Sequence, residues 1–259
     1  MRFGALLSAM TQDFRITLPD DWLQGRTAYG GLSAALCVEA AGRAVPGLPP
    51  LRSAQFAFIG PAAGELKMSP SVLRRGKSSV FAGVDLAGEA GLATRALLGF
   101  GVARPSSIAY DALAMPDVTP VETSPPFFTG EKPPINFQSH FESRIAGGAR
   151  PVTPGAEPCY RIWFRHRDEA ARSGLVPLIA LADAPPPAAM VLFAQFAPIS
   201  TITWAVDMLQ DAPATEDGWW LIESRAESAA QGYSTQAMTL WNTRGEAVIA
   251  ARQNVAIFT

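Results

Sequence analysis

Cysteine and histidine are almost missing from this 259-residue chain: it has two of each, Cys37 and Cys159, His140 and His166. Two cysteines build no disulfide framework and fit a reducing compartment. Two histidines leave little for a histidine-rich metal site or a histidine-dependent triad. Charge is scarce as well. Only 17% of residues are charged and the formal net charge is −2, so there is no electrostatic footprint for nucleic acid. No lysine or arginine block suggests a membrane surface. No run approaches the ~18 uninterrupted apolar residues of a membrane span. The opening MRFGALLSAM meets Thr11-Gln12-Asp13 before it forms the apolar core and cleavage site of a signal peptide. Known fingerprints are absent too. Gly76-Lys77-Ser78 ends like a phosphate-binding loop, but Ser71 stands where its first glycine belongs. Gly99-Phe100-Gly101 fails as a dinucleotide fingerprint because Arg104 holds the last glycine position, and no G-x-S-x-G elbow occurs. These absences predict a soluble, cytoplasmic protein with no nucleic-acid or membrane partner and no metal or other cofactor.

What is present is apolar and repetitive. Hydrophobic residues make up 48% of the chain, enough to bury a substantial core. From Gly76 the chain reads GKSSVFAGVDLAGEAGLATRALLGFGVA to Ala103; from Gly232 it reads GYSTQAMTLWNTRGEAVIAARQNVAIF to Phe258. Each copy opens on glycine and a pair of small hydroxyl residues, runs strand-like to a turn at Gly91 or Gly245, and continues into a long apolar strand. Repetition at this separation predicts two similar packed units, since solenoid repeats recur every ~20–50 residues.

Residues 27–45 predict a helix entered through glycine, with Leu32, Leu36 and Ala40 on one face beside Ala35, Thr27 a candidate cap, and Pro46-Gly47 ending it. Strands are predicted over 53–59, where Phe56 and Phe58 alternate, and over 66–73. Two more follow, carrying Val80, Ala82, Val84 and Leu86, then Ala96, Leu98, Phe100 and Val102, with a hairpin turn at 87–91. Residues 104–155, with Pro-Pro at 125–126 and 133–134, predict a connector of irregular or short-strand content. Strand order resumes at 159–164. A helix over 174–183 leads into Pro185-Pro186-Pro187, and strands follow at 199–208, 219–228, 234–241 and 247–258. Helix then four strands is thus repeated. A helix on a curved antiparallel sheet buries one face of each, and joining two such sheets removes two exposed edges.

Several phrases in this order resemble the type II, double-hotdog acyl-CoA thioesterases and their thioesterase-like relatives. Residues 25–31, GRTAYGG, resemble the glycine-rich entry to that family's first central helix, and residues 51–61, LRSAQFAFIGP, its next strand. Residues 178–183, LIALAD, resemble the helix carrying an aspartate; Ser200-Thr201-Ile202 the strand start carrying Thr or Ser; and Arg252-Gln253 the last strand, carrying a glutamine. The likeness spans nearly all but the proline-rich connector. It implies an α+β double hotdog, with 1–105 the N-terminal hotdog, 106–135 the connector and 136–259 the C-terminal hotdog. It also implies hydrolysis of an acyl-CoA or related acyl thioester by water that Asp183, Thr201 and Gln253 position and activate. The chain departs from the family in the three prolines after Asp183, in the missing histidine and arginine after Thr201, and in Asn254 after Gln253.

The residues themselves allow more than one reading. Asp183 lies in an apolar setting that would raise its pKa, yet aspartate beside proline is commonly an exposed cap. Gln253 shares a strand face with Ile249, Ala251, Val255 and Ile257, and a bulky amide buried there needs a partner; the face could instead be solvated. Counted from the hairpin glycines, Gln253 aligns with Gly99, so the amide belongs to one half only, as one active site per pair of halves requires. Thr203 rivals Thr201. Gly30 and Gly31, with Tyr29 beside them, are expected to meet substrate, the glycines through backbone N–H groups at a helix start that suit a thioester oxygen or phosphate; they could equally serve close packing. Arg74 and Arg75, with Lys77 and Arg95, are expected at the phosphates of CoA, or simply solvated. The alternatives to a thioesterase are a hotdog hydratase or dehydratase, which would want a catalytic histidine, and a non-catalytic acyl-thioester-binding module. A monomer or symmetric homodimer is expected, with the dimer favoured.

Overall fold

The computed structural model describes residues 1–130, 133 and 135–259, so the second proline of the 133–134 pair lies outside the described residues. In chain order it contains α1 (Phe3–Ser8), β1 (Arg15–Thr17), the short ladder β2 (Leu23–Gln24) and β3 (Thr27–Ala28), α2 (Gly30–Ala44), β4 (Leu51–Phe58), β5 (Glu65–Arg75), β6 (Ser79–Gly88) and β7 (Gly91–Gly101). The second half holds β8 (Phe141–Gly148), β9 (Cys159–His166), α3 (Leu175–Ala182), β10 (Ile199–Met208), β11 (Trp220–Ala230), β12 (Tyr233–Trp241) and β13 (Ala247–Ile257).

Period-two burial makes the strands. In β6, Val80, Ala82, Val84 and Leu86 are all buried while Phe81 between them is exposed. Eleven strands form one antiparallel sheet in the order β1-β5-β6-β7-β4-β10-β13-β12-β11-β9-β8. Read outward from the seam, the first half runs β4, β7, β6, β5, β1 and the second β10, β13, β12, β11, β9. The duplication is therefore real at the level of topology: β4 and β10 are each the first long strand after a helix. They pair antiparallel with Trp204 opposite Phe56, joining the sheets. This is the double-hotdog, α+β arrangement.

The sheet curls around α2 and α3, which pack on each other. Nearly every residue of α2 from Gly31 to Ala41 is buried, beyond the single face of Leu32, Leu36 and Ala40, because α3 covers what the sheet does not. α3 is apolar on all sides, as a helix enclosed by sheet and helix must be. The helix predicted from residue 27 begins at Gly30, and Thr27 is no cap; it lies in β3, where its hydroxyl accepts the Ala62 N–H at 2.8 Å.

Five elements were not legible. α1, β1, β2 and β3 are too short to show a period. β8 lies inside the proline-rich stretch 104–155 but beyond the connector bounds 106–135, and is masked by two terminal glycines and a ladder slip between Ile145 and Gly147. The connector itself straps the outer face of the second-half sheet. Leu113, Met115, Val118 and Val121 pack on Trp163, Trp219, Leu221 and Trp241, and the Trp163 and Trp241 indoles donate to the carbonyls of Thr119 and Leu113 at 2.9 and 2.7 Å. Both faces are thus covered there, which is why consecutive residues are buried in β9 from Ile162 to Phe164 and at the start of β11 from Trp220 to Ile222.

The alignment of Gln253 with Gly99 does not hold. The path from Leu86 to its partner Thr94 is one residue shorter than that from Leu240 to its partner Ile249. An odd difference reverses the face. Gly99 points outward toward Phe81, and the inward counterpart of Gln253 is Leu98, fully buried. The asymmetry between halves survives with leucine in place of glycine.

The helix pair depends on Gly31. A Cβ there would lie 2.6 Å from the Ala180 carbonyl oxygen, a contact that neither backbone can relieve locally. Gly31→Ala is expected to lose about 1–3 kcal/mol, the range for overpacking. Urea unfolding would show this as a lower midpoint with unchanged slope; a wild-type midpoint would mean that the two helices adjust freely.

Candidate active site

The site begins with how α3 ends. Pro177 sits in the first turn, where backbone N–H groups have no intrahelical acceptor and proline is tolerated. Pro185-Pro186-Pro187 then forbids continuation, because a residue before proline is driven out of helical conformation. Asp183 is therefore the C-terminal cap (φ −101°, ψ 3°). Its side chain enters a cleft of about 1200 Å³ lined by residues of both halves, with walls of phenylalanine, proline and small residues. Asp183 and Arg150 are its only charged lining residues among those described.

Asp183 is only partly exposed, toward this cleft, and protein surrounds its carboxyl on the other sides. Desolvation pushes its pKa up to about 7, and hydrogen bonding from the Gln253 side chain and the Gly31 backbone limits the rise. A carboxyl titrating there is mixed in charge at neutral pH, the condition that suits proton transfer.

Gln253 is buried and reaches Asp183 directly, its Nε2 donating to Oδ1. The amide oxygen is also engaged. Gln236, directly across the β12–β13 ladder, donates through Nε2 to Gln253 Oε1 at 2.6 Å, and its own Oε1 accepts the Ala188 N–H at 2.8 Å. Gln236 was not picked out from the sequence, although it carries the same signal as Gln253: a buried amide in the alternating row Ser234, Gln236, Met238, Leu240.

Thr201 lines the cleft and Thr203 does not. The ladder slips between them, so Thr201 pairs with inward Val255 and Thr203 with outward Asn254. Among the described residues Thr201 makes no hydrogen bond to Asp183 or Gln253. Gly30 also lines the cleft; a Cβ there would lie 2.7 Å from Asp183 Oδ2, so glycine is what lets the helix start approach the carboxylate. Tyr29 stands behind the cleft wall, stacked on Phe137 at 4.1 Å with its hydroxyl donating to the Ala180 carbonyl at 3.1 Å. Arg74 and Arg75 are exposed on β5 and line no part of the cleft, and Arg95 pairs with Asp85 on the outer face. The cation that does line it is Arg150, which the sequence reading missed; it is held by the Phe127 and Pro126 carbonyls at 3.1 and 2.8 Å. Neither histidine borders the cleft. His166 is buried against the Pro177 carbonyl, and His140 stacks on Trp22 at 3.8 Å.

Comparison with known proteins bears on this geometry. Residues 18–101 match the acyl-CoA thioesterase N-terminal domain family, and residues 116–257 match the acyl-CoA thioesterase C-terminal domain family. A search of curated protein sequences returned no match. Among solved structures, a conserved protein of unknown function with a hot dog fold from Alicyclobacillus acidocaldarius superposes with TM-score 0.87 at 22% identity, over 100% of this chain and 99% of that one. The tesB protein of Mycobacterium avium subs paratuberculosis gives 0.76 at 17% identity, over 99% of each chain. Acyl-CoA thioesterase II TesB2 of Mycobacterium marinum gives 0.72 at 19%, over 95% of this chain and 92% of that one. At these identities the superpositions speak for the fold. No helix among the described residues is long and apolar enough to cross a membrane.

The raised pKa of Asp183 has a signed consequence for stability. The fold favours the protonated form, so this contribution is complete below about pH 4, near the unfolded aspartate pKa, and is lost as pH rises through about 7. The unfolding free energy of wild type minus that of Asp183→Asn should therefore fall by a few kcal/mol, order of magnitude, between about pH 4 and pH 8. Chemical denaturation of both proteins at several pH values measures it. A difference independent of pH would place the pKa near its ordinary value.

Proposed function

The chain belongs to the acyl-CoA thioesterase family, and we propose that it hydrolyses an acyl-CoA by direct attack of water, with Asp183, Thr201 and Gln253 as the activating set. The observation that carries this reading is Asp183 itself: the only carboxylate lining the cleft among the described residues, fixed by an amide and held near pKa 7. Ionised Asp183 takes a proton as the water oxygen bonds to the thioester carbonyl carbon. The donor proposed for the oxygen where negative charge develops is the Gly30 N–H, which belongs to the first turn of α2 on the cleft wall. Collapse of the tetrahedral intermediate breaks the carbon–sulfur bond, expels the CoA thiolate, and leaves Asp183 to return the proton. Thr201 holds the water on the cleft side of β10.

Two features favour this reading over its rivals. The prolines that depart from the family pattern end α3 at Asp183 and leave its bond to Gln253 intact, which supports catalysis over binding alone. A hydratase would want a histidine facing substrate, and both histidines lie outside the cleft. Arg150 replaces Arg74 and Arg75 as the candidate for the CoA phosphates, since it is the cation on the cleft wall.

Incubation with an acyl-CoA panel and a thiol-detecting dye tests the activity; CoA bound without thiol release would instead support a binding module. Asp183→Asn should lower kcat by ~10²–10⁴ with little change in binding, the scale of a lost general base. Thr201→Val should be clearly more damaging than Thr203→Val. An Asp183→Asn protein turning over at the wild-type rate would refute the mechanism.

Arg150→Ala should raise KM for acyl-CoA several-fold with kcat nearly unchanged, the behaviour of an interaction equal in ground and transition states. Arg74→Ala should leave both constants unchanged. The reverse pattern, in initial-rate kinetics, would return the phosphates to β5.

A further inference from the structure

We propose that Gln236 is a positioning residue for this hydrolysis: with the Pro185-Pro186-Pro187 segment it determines which end of the Gln253 amide faces Asp183. The proposal rests on the hydrolytic reading given above.

An amide side chain has an oxygen end and a nitrogen end of nearly equal size, so shape alone does not orient it. Here a backbone group does. The Ala188 N–H can only donate, so the Gln236 atom 2.8 Å from it must be oxygen. That leaves the Gln236 NH₂ to donate to Gln253 Oε1 at 2.6 Å, and the Gln253 NH₂ to donate to Asp183 Oδ1. One backbone donor thus sets the polarity of three successive bonds. Gln236 is 1% exposed and lines no part of the cleft, so water offers its amide no substitute partner, while Gln253 is 4% exposed at the cleft wall.

The prolines close this chain into a ring. None of the three carries an N–H, and the Ala184 N–H is occupied by the Leu181 carbonyl at 3.0 Å. Ala188 is therefore the first backbone donor available after Asp183. Pro187 is extended (φ −58°, ψ 139°), and the Tyr160 hydroxyl bonds to the Pro186 carbonyl. Restricted proline φ angles make residues 183–188 a stiff spacer, with the carboxylate at one end and the orienting N–H at the other. Packing alone would not need a glutamine in this ring, since an apolar side chain would fill the same place without burying an amide.

The opposite orientation of Gln253 is chemically distinct. Its oxygen would face Asp183 Oδ1, and two acceptors bond only when the carboxyl holds a proton. That state cannot accept one from water. Without Gln236 both orientations become available, and the flipped one stabilises the inactive acid form.

The test is steady-state kinetics across pH with the best acyl-CoA, for Gln236→Met, Gln236→Glu, Gln253→Ala and the Gln236→Met/Gln253→Ala double variant, with thermal melts to establish folding. Gln236→Met should lower kcat about ten-fold, the size expected for one buried hydrogen bond, with KM within about two-fold. Its acid limb should move to higher pH. Gln236→Glu keeps the acceptor for Ala188 but turns Gln253 round, so it should move the limb further; it also serves if the methionine variant does not fold. In the Gln253→Ala background Gln236→Met should have no further effect on kcat, because its influence passes through Gln253. A wild-type kcat and pH limb in the folded position-236 variants would overturn the proposal, as would an equal loss in the presence and absence of Gln253. Asp183→Asn separates the two levels. Undiminished turnover in that variant would defeat the hydrolytic reading, whereas a dead Asp183→Asn beside a normal Gln236→Met would defeat only the role of Gln236.

Discussion

The hydrogen bond from Gln253 to Asp183 ties the last strand of the chain to the end of α3, and the geometry of the cleft follows from it. Each partner reaches the bond for a separate reason. Gln253 points inward because β13 pairs with β10 and β12 in a register that places it opposite Trp204 and Gln236. Asp183 is delivered by a helix that three prolines prevent from continuing, and α3 is seated by the absence of a side chain at Gly31, where the Ala180 carbonyl comes close. Losing the Gln253 bond would leave the Gly31 backbone as the remaining donor to a carboxyl in an apolar cleft, a state that is costly when ionised.

Duplication accounts for the shape of the molecule, and departure from duplication accounts for the one-sided placement of the Gln253–Asp183 pair. Both halves lay their strands in the same order away from the seam, so the two sheets join through β4 and β10 and cover two edges at once. Where the second half has Gln253, the register of the first half has Leu98. The buried amide that meets Asp183 therefore has no counterpart at the matching position of the first half. The connector adds a second asymmetry by covering the outer face of the second-half sheet with Leu113, Met115, Val118 and Val121.

Much of the fold was legible because helices and strands with one buried face carry the period of that face. The alternation in β6 and β7, the glycine entry to α2 and the stop at Pro185 could be read directly. Gln253 stood out for the same reason, as a large amide in an apolar row. Other features left no mark. Thr201 and Thr203 differ only through a ladder slip at Ile202, and the choice between Leu98 and Gly99 depends on one residue in a hairpin path. Arg150 borders the cleft through its bonds to connector carbonyls, a placement set by chain path and not by local pattern. Gln236 could have been found by the argument that found Gln253. Its role becomes visible only when the Ala188 N–H is seen to meet it.

The site balances two opposed demands on one carboxyl. Burial beside α2 and α3 disfavours its charge, and bonding from Gln253 and Gly31 restores part of what burial removes. The balance lies near neutrality, as the proposed role of Asp183 as general base requires. The most direct test is a ¹³C NMR titration of the Asp183 carboxyl, with the resonance assigned by its loss in Asp183→Asn. A midpoint near pH 7 that coincides with the acid limb of kcat/KM is expected. A midpoint near the ordinary aspartate value of about 4, with the limb elsewhere, would mean that Asp183 is not the titrating base.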